Sequence, residues 1–206
     1  MRLSTLFLAC ACAAPVVMNA APAARPEATT PLPVGASAPA VMVRSAEGEA
    51  VDLGAAVRGQ PTILIFYRGG WCPYCNMHLA QLQEIEESLL EMGFQILAVS
   101  PDRPESLQAS VDKNQLGYRL LSDRGMIASE AYGVAFRLSD EILAKYNKWG
   151  FDLAEVPGEP DARWLPIPAV FVIGTDGIVR FVHTNPDYKQ RISSEELLAA
   201  AAAAQE

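Results

Sequence analysis

Buried strands alternate with amphipathic helices along this chain, except in one stretch that follows neither pattern. Thr62-Ile63-Leu64-Ile65-Phe66-Tyr67 is apolar almost throughout and rich in β-branched and aromatic residues, as suits a central strand covered on both faces. After it, Met77, Leu82, Ile85, Leu89 and Met92 recur near helical spacing, with Glu84, Glu86, Glu87 and Glu91 between them. These glutamates read as the wet face of a helix. Gly93 stops the pattern, as expected just past a helix end, and Pro73 suits the first helical position, where a missing N–H costs nothing. Phe94 to Ser100 is a second apolar run, expected as a parallel neighbour reached through that helix in a right-handed βαβ unit.

The flanking segments are weaker. Val41-Met42-Val43 predicts a strand, Glu47-Gly48-Glu49 a turn, and Ala50 to Leu53 a short extended piece. Residues 104–116 predict a helix, Tyr118 to Leu121 a short strand, and Met126 to Tyr132 another helix. Pro166 to Gly174 is a strand entered through proline, Asp176-Gly177 a hairpin turn, and Ile178 to His183 the returning strand. Ser193 with Glu196 opens a last helix with a capping box. The exceptional stretch is 137–163, where Tyr146, Trp149, Phe151 and Leu153 alternate with polar residues and Pro157, Gly158 and Pro160 break regular elements. It is expected to be an insertion, a helix followed by a surface loop, serving either as a binding edge or as packed decoration. Trp149 and Trp164 are candidates for a groove wall or for small-core anchors.

The first residues read differently. Arg2, the apolar run Leu3 to Met18 and the small residues at Ala20 to Ala24 have the form of an export signal over residues 1–24, with Ala21-Pro22-Ala23 as a cleavage site. Pro15 interrupts the run and argues against a membrane span. An uncleaved anchor and a lipid-attachment Cys at Cys10 or Cys12 are the other readings. Residues 25–33, in an Ala- and Pro-rich stretch, are expected to be an exposed linker, and 34–206 the folded domain. Export implies a periplasmic or secreted protein. A formal charge of −8 argues against nucleic acid or anionic membrane as a partner. No cofactor motif stands out, and none is predicted.

Cysteine usage sharpens the picture. With Cys10 and Cys12 in the signal, Cys72 and Cys75 remain as a single close pair, too few for a disulfide framework and well suited to redox work. Trp71-Cys72-Pro73-Tyr74-Cys75 lies at the strand-to-helix junction, a thioredoxin-like redox placement. Cys72 falls at the N-cap and Cys75 one turn in. Free cysteine has a pKa of about 8.5, and the unpaired N–H groups of a helix start favour the thiolate. Cys72 is therefore the expected attacking thiol and Cys75 its resolving partner. Two other classes stay open: a metal site from Cys72, Cys75, His78 and His183, and a redox-inert binding module.

The order of elements resembles the thioredoxin superfamily, and the fuller pattern is similar to its peroxiredoxin-like branch, the alkyl hydroperoxide reductase and thiol-specific antioxidant group. Val34-Gly35-Ala36-Ser37-Ala38-Pro39 is similar to that group's opening, and Ser100-Pro101-Asp102, Leu121-Ser122-Asp123 and Ala131-Tyr132-Gly133-Val134 match its recurrent segments in order. The resemblance implies an α/β, thioredoxin-like fold with a central mixed β-sheet flanked by helices and an insertion before the Ile167-Pro168 strand. Two registers compete at the site. Matched to the peroxiredoxin pattern Pro-x-x-x-Thr-x-x-Cys, Cys75 becomes the peroxide-attacking residue, with Cys72 at the Thr position and Arg68 at the Pro position. Pro168 then holds the place of that group's activating Arg, and Arg68 or Arg163 would have to supply the charge. Matched to thioredoxin, Cys72 is the nucleophile and Pro168 the cis-proline facing the pair. Substrate contact falls to Trp71, Ile167 and Pro168. The implied function is a thiol redox enzyme that reduces hydroperoxides, exchanges protein disulfides, or both. A thioredoxin-like protein thiol would be its electron donor. Asp187-Tyr188-Lys189-Gln190-Arg191 resembles a C-terminal segment of that group, with no mechanism attached.

Overall fold

A computed structural model describes residues 22–205, so the expected signal, with Cys10 and Cys12, lies outside the described residues except for its last three positions. In chain order the elements are β1 (Met42–Ser45), β2 (Ala50–Asp52), α1 (Leu53–Ala56), β3 (Thr62–Phe66), α2 (Pro73–Glu91) and β4 (Gln95–Ser100). There follow α3 (Pro104–Asn114), β5 (Arg119–Ser122), α4 (Ile127–Ala131), β6 (Ala135–Arg137), α5 (Asp140–Lys148) and β7 (Ala154–Val156). The chain ends with β8 (Glu159–Pro166), β9 (Ala169–Ile173), β10 (Val179–Thr184) and α6 (Ser194–Ala203).

Seven strands form one mixed sheet in the order β10-β9-β3-β4-β5-β1-β2. β3 pairs parallel with β4, and β4 with β5, while β9 runs antiparallel beside β3. Every residue of β3 is buried, as its unbroken apolar pattern requires. Its alternate side chains feed two cores. Leu64 and Phe66 point to a cluster with Leu97, Tyr132, Leu165 and Phe171, while Ile63 and Ile65 join Cys72, Cys75, Leu79, Leu82 and Leu197. The second cluster seats α2 and α6 on one face of the sheet. At the start of α6, the Glu196 N–H donates to Ser193 Oγ at 3.1 Å, the bond a capping box supplies.

Two expectations are corrected. In the segment 137–163 the expected helix is present as α5, but the expected surface loop is regular: β7 and β8 pair with each other, and β8 with β6, in a separate three-stranded sheet. Pro157 and Gly158, which read as breakers, make the turn between β7 and β8. Gly158 has φ +78° there, a conformation that glycine reaches without strain. Residues 25–33 are not a free linker either. Just before this segment, Ala23 O accepts from the Arg137 N–H at 2.8 Å; within it, the Leu32 N–H donates to Tyr132 O at 3.0 Å, and Leu32 packs against the main core. Gly133 permits this approach, since a Cβ there would stand 1.9 Å from Thr30 O.

Candidate active site

The loop from β3 to α2 presents the two cysteines. Cys72 is the N-cap of α2, with extended backbone at φ −88° and ψ 115°, and Pro73 follows as the first helical residue. The N–H groups of Cys75 and Asn76 donate to Cys72 O at 3.0 and 3.1 Å. The preceding glycines allow close packing: a Cβ on Gly70 would meet Ser110 Oγ at 2.3 Å, and one on Gly69 would meet Trp71 Nε1 at 2.5 Å. Asp102 anchors the loop, accepting from the Gly70 N–H at 2.7 Å and from Ser100 Oγ at 3.0 Å. Its carbonyl in turn accepts from Ser122 Oγ at 2.6 Å. The Ser100-Pro101-Asp102 and Leu121-Ser122-Asp123 segments thus meet in space, the first holding the active-site loop. The Asp123 carboxylate caps α4 by accepting from Ala128 N–H, Ser129 N–H and Ser129 Oγ.

Both cysteines are free thiols and both are buried. The Cys75 thiol, placed to donate to the Cys72 sulfur, holds Cys72 below the usual thiol range. Burial opposes that lowering, while the Cys75 backbone N–H and the charges of Arg68 and Arg191 reinforce it. Cys75 is driven the other way, by its role as donor and then by burial. Cys72 is therefore the thiol poised as thiolate, in agreement with its N-cap position.

Although only 1% exposed, Cys72 is the one of the pair that borders a cleft. It lines a cleft of about 390 Å³ whose walls include Arg68, Trp71, Tyr146, Trp149, Phe151 and Tyr188, whereas Cys75 lies outside that lining. The insertion builds much of the wall. Phe151 stacks on Trp71 with ring centres 4.4 Å apart, and Tyr146 sits at 5.5 Å from the same indole. The Arg68 guanidinium is enclosed, 4.1 Å from the Tyr188 ring centre and 5.3 Å from that of Trp71, and it donates to the Tyr146 hydroxyl. Arg68 is only 4% exposed, and its Nε has no hydrogen-bond partner among the described residues.

Of the residues expected to touch substrate, Trp71 lies in the cleft with Cys72. Ile167 and Pro168 line a neighbouring pocket of about 70 Å³ that shares Arg68, Tyr146 and Tyr188. The expected cis-proline is not found: no cis peptide bond occurs among the described residues, so Pro168 follows a trans bond. Trp149 lines the cleft and is 64% exposed, whereas Trp164 is buried in a small core with Met126 and Val156. The two tryptophans thus divide the two roles considered for them. Arg163 belongs to β8, donating to the carbonyls of Pro160 and Ala162 and pairing with Glu155. Arg68 alone of the two proposed arginines reaches the site.

Other functional neighbours came from segments without a local signal. Arg191 Nη2 donates to Cys75 Sγ at 3.5 Å. Tyr188, on the same loop, covers Arg68. The one available signal was the resemblance carried by Asp187 to Arg191, which has no periodicity to interpret. His78 is buried, and burial, with Arg191 and His183 nearby, lowers its pKa to about 4. Among the described residues no group of three or more His, Cys, Asp or Glu is placed to hold a metal ion.

A buried thiol pair at a helix start, beside parallel central strands and an antiparallel neighbour, defines a thioredoxin-type fold with a candidate thiol redox site. Residues 34–182 match the AhpC/TSA family, and the chain belongs to that family. It is 32% identical over 104 residues to Peroxiredoxin Bcp of Escherichia coli, a match covering 50% of this chain and 66% of that protein. It is 30% identical over 89 residues to the thiol-disulfide oxidoreductase ResA of Halalkalibacterium halodurans, covering 43% of this chain and 49% of that one. The crystal structure of reduced Prx3 from Vibrio vulnificus in complex with hydrogen peroxide has the same fold, with a TM-score of 0.67 at 17% identity over 82% of this chain and 99% of that one.

Proposed function

We propose that this protein is a thiol-dependent peroxidase in which Cys72 attacks and Cys75 resolves. The observation that carries this reading is the position of Cys72, in the lining of an aromatic cleft with its thiolate favoured, while Cys75 is buried outside that lining. The Cys72 thiolate displaces an alcohol or water from a hydroperoxide, taking up one proton overall and becoming a sulfenic acid. Cys75 condenses with it, forming the disulfide and releasing water. An external protein dithiol of thioredoxin type then returns two electrons. Arg68, enclosed yet without a carboxylate partner among the described residues, is suited to stabilise charge on the departing oxygen. The amino-terminal signal pattern supports an exported, periplasmic or secreted location. No helix of the described residues is long and apolar enough to cross a membrane.

The likeness to ResA favours one second reading, exchange with protein disulfides without peroxidase activity. Stopped-flow oxidation of the reduced protein by hydrogen peroxide separates the two. Oxidation faster than that of free cysteine, retained in Cys75→Ser and lost in Cys72→Ser, is expected. Retention only in Cys72→Ser would transfer the peroxide step to Cys75. A rate no faster than free cysteine, with Cys72-dependent reduction of a protein disulfide, would favour the second reading.

A further inference from the structure

We infer that Arg191 is a catalytic residue for the step that closes the Cys72–Cys75 disulfide, the cation that meets the Cys75 sulfur as it becomes a thiolate. This rests on the reading of Cys72 as attacking and Cys75 as resolving thiol. Arg191 Nη2 lies 3.5 Å from Cys75 Sγ, within reach of a charge-assisted N–H···S bond. Its Nη1 donates to the carbonyls of Tyr188 and Gln190, so the loop's own backbone holds the guanidinium in place. No carboxylate pairs with Arg191 among the described residues.

The charged and titratable groups around this contact come from several elements. Cys72 caps α2 and His78 stands on it, Tyr67 and Arg68 follow β3, His183 lies on β10, and Arg191 precedes α6. Burial holds the Tyr67 phenol neutral, and His78 is uncharged above about pH 4. Arg68 presents its backbone N–H to Cys75 while its guanidinium is enclosed by aromatic rings. Arg191 is thus the residue that brings a guanidinium onto this sulfur. A thiol pushed up by donation to Cys72 and by burial needs such a counter-charge before it can attack, and Arg191 acts against both.

The step balances. With Cys72 as sulfenic acid, the Cys75 thiolate attacks the Cys72 sulfur, the S–O bond breaks and an S–S bond forms. The departing hydroxide and the proton released by Cys75 leave as water. In the reductive half-cycle the donor thiolate attacks Cys72, and the electron pair of the S–S bond returns to Cys75 beside Arg191.

The test loads Cys72 with the chromogenic aryl disulfide dithiobis(nitrobenzoate) and follows two successive releases of aryl thiolate, one for attack by Cys72 and one for closure by Cys75. In Arg191→Met the ratio of closure to attack is expected to fall about tenfold, with the closure midpoint about 1 pH unit higher. Arg191→Lys should recover part of both. Lys189→Ala, exposed on the same loop, should leave the ratio at the wild-type value. A wild-type ratio and closure profile in a folded Arg191→Met overturns the role of Arg191. First release that persists in Cys72→Ser and vanishes in Cys75→Ser overturns the reading beneath it, and the role of Arg191 falls with that reading.

Discussion

The seven-stranded sheet and the insertion between β6 and β9 are held together in different ways. In β3 and β9 every residue is buried, and each side chain is locked between the sheet and a covering layer. In α5 no residue is buried. The insertion sends only a few side chains such as Leu153 and Leu165 into the main core, and is fastened besides by Phe151 and Tyr146 on Trp71 and by Asp152, which pairs with both Arg103 and Arg124. Its β7–β8 hairpin adds a small core around Trp164. The sheet therefore carries stability and presents the cysteines, while the insertion shapes what reaches Cys72. Arg68 sits at the seam, buried in the loop after β3 yet bonded to Tyr146 of the insertion.

The largest contrast should appear on truncating one aromatic from each region. Phe171 is fully buried and packs edge-on against Phe66 and Tyr132. Phe171→Ala should cost about 3–5 kcal/mol in urea unfolding. Phe151 is half-buried, and Phe151→Ala should cost less than about 2 kcal/mol while speeding alkylation of Cys72 by a bulky maleimide. Equal stability losses would place the insertion in the same cooperative core and break the comparison.

A second test concerns His78 on the sheet side. Its folded pKa of about 4 lies below the ordinary 6.5, so the unfolded chain takes up a proton that folded His78 refuses. The associated stability is present above pH 6.5 and is lost as pH falls through 4, by an amount on the order of 3 kcal/mol. Unfolding measured across this window should show the loss in the wild type relative to His78→Leu. Parallel curves for the two proteins would remove His78 from the acid response.

At the seam the effect is smaller. Arg68→Met removes a charge that favours the Cys72 thiolate, and the midpoint of its ultraviolet thiolate titration should rise by about 1 pH unit. An unmoved midpoint would mean that the aromatic enclosure isolates Arg68 from the sulfur. The smallest effect is expected at Arg163, which is engaged on β8 away from the pair. Arg163→Ala should leave that midpoint and the peroxide oxidation rate at wild-type values, and a shift in either would mean that the insertion's outer strand reaches the site.

What could be read ahead of the structure follows the range of the forces involved. β3, α2, β4, β9 and α6 stand where the pattern predicts because their burial periodicity and caps are written within a few neighbouring residues. β8 escaped because Asp161 and Arg163 interrupt its apolar residues and its partner β6 lies more than twenty positions earlier. Residues 22–33 escaped because their attachment is largely backbone to backbone, with few apolar side chains to announce it. The N-cap place of Cys72 was legible from Pro73 and the strand before it. The outcome for Pro168, a trans bond, was not.

The chain alone is enough to put two thiols at the start of a helix on a buried strand, because an apolar run, two glycines and a proline impose that geometry locally. Which cations and rings surround those thiols is decided only by folding. Arg191 lies 116 residues from Cys75 along the chain and 3.5 Å from its sulfur in space. Tyr146 and Phe151 reach Trp71 by way of a separate small sheet. Charge and dispersion act across a few ångströms whatever the sequence separation, so the reactivity of the pair is set where distant segments pack together.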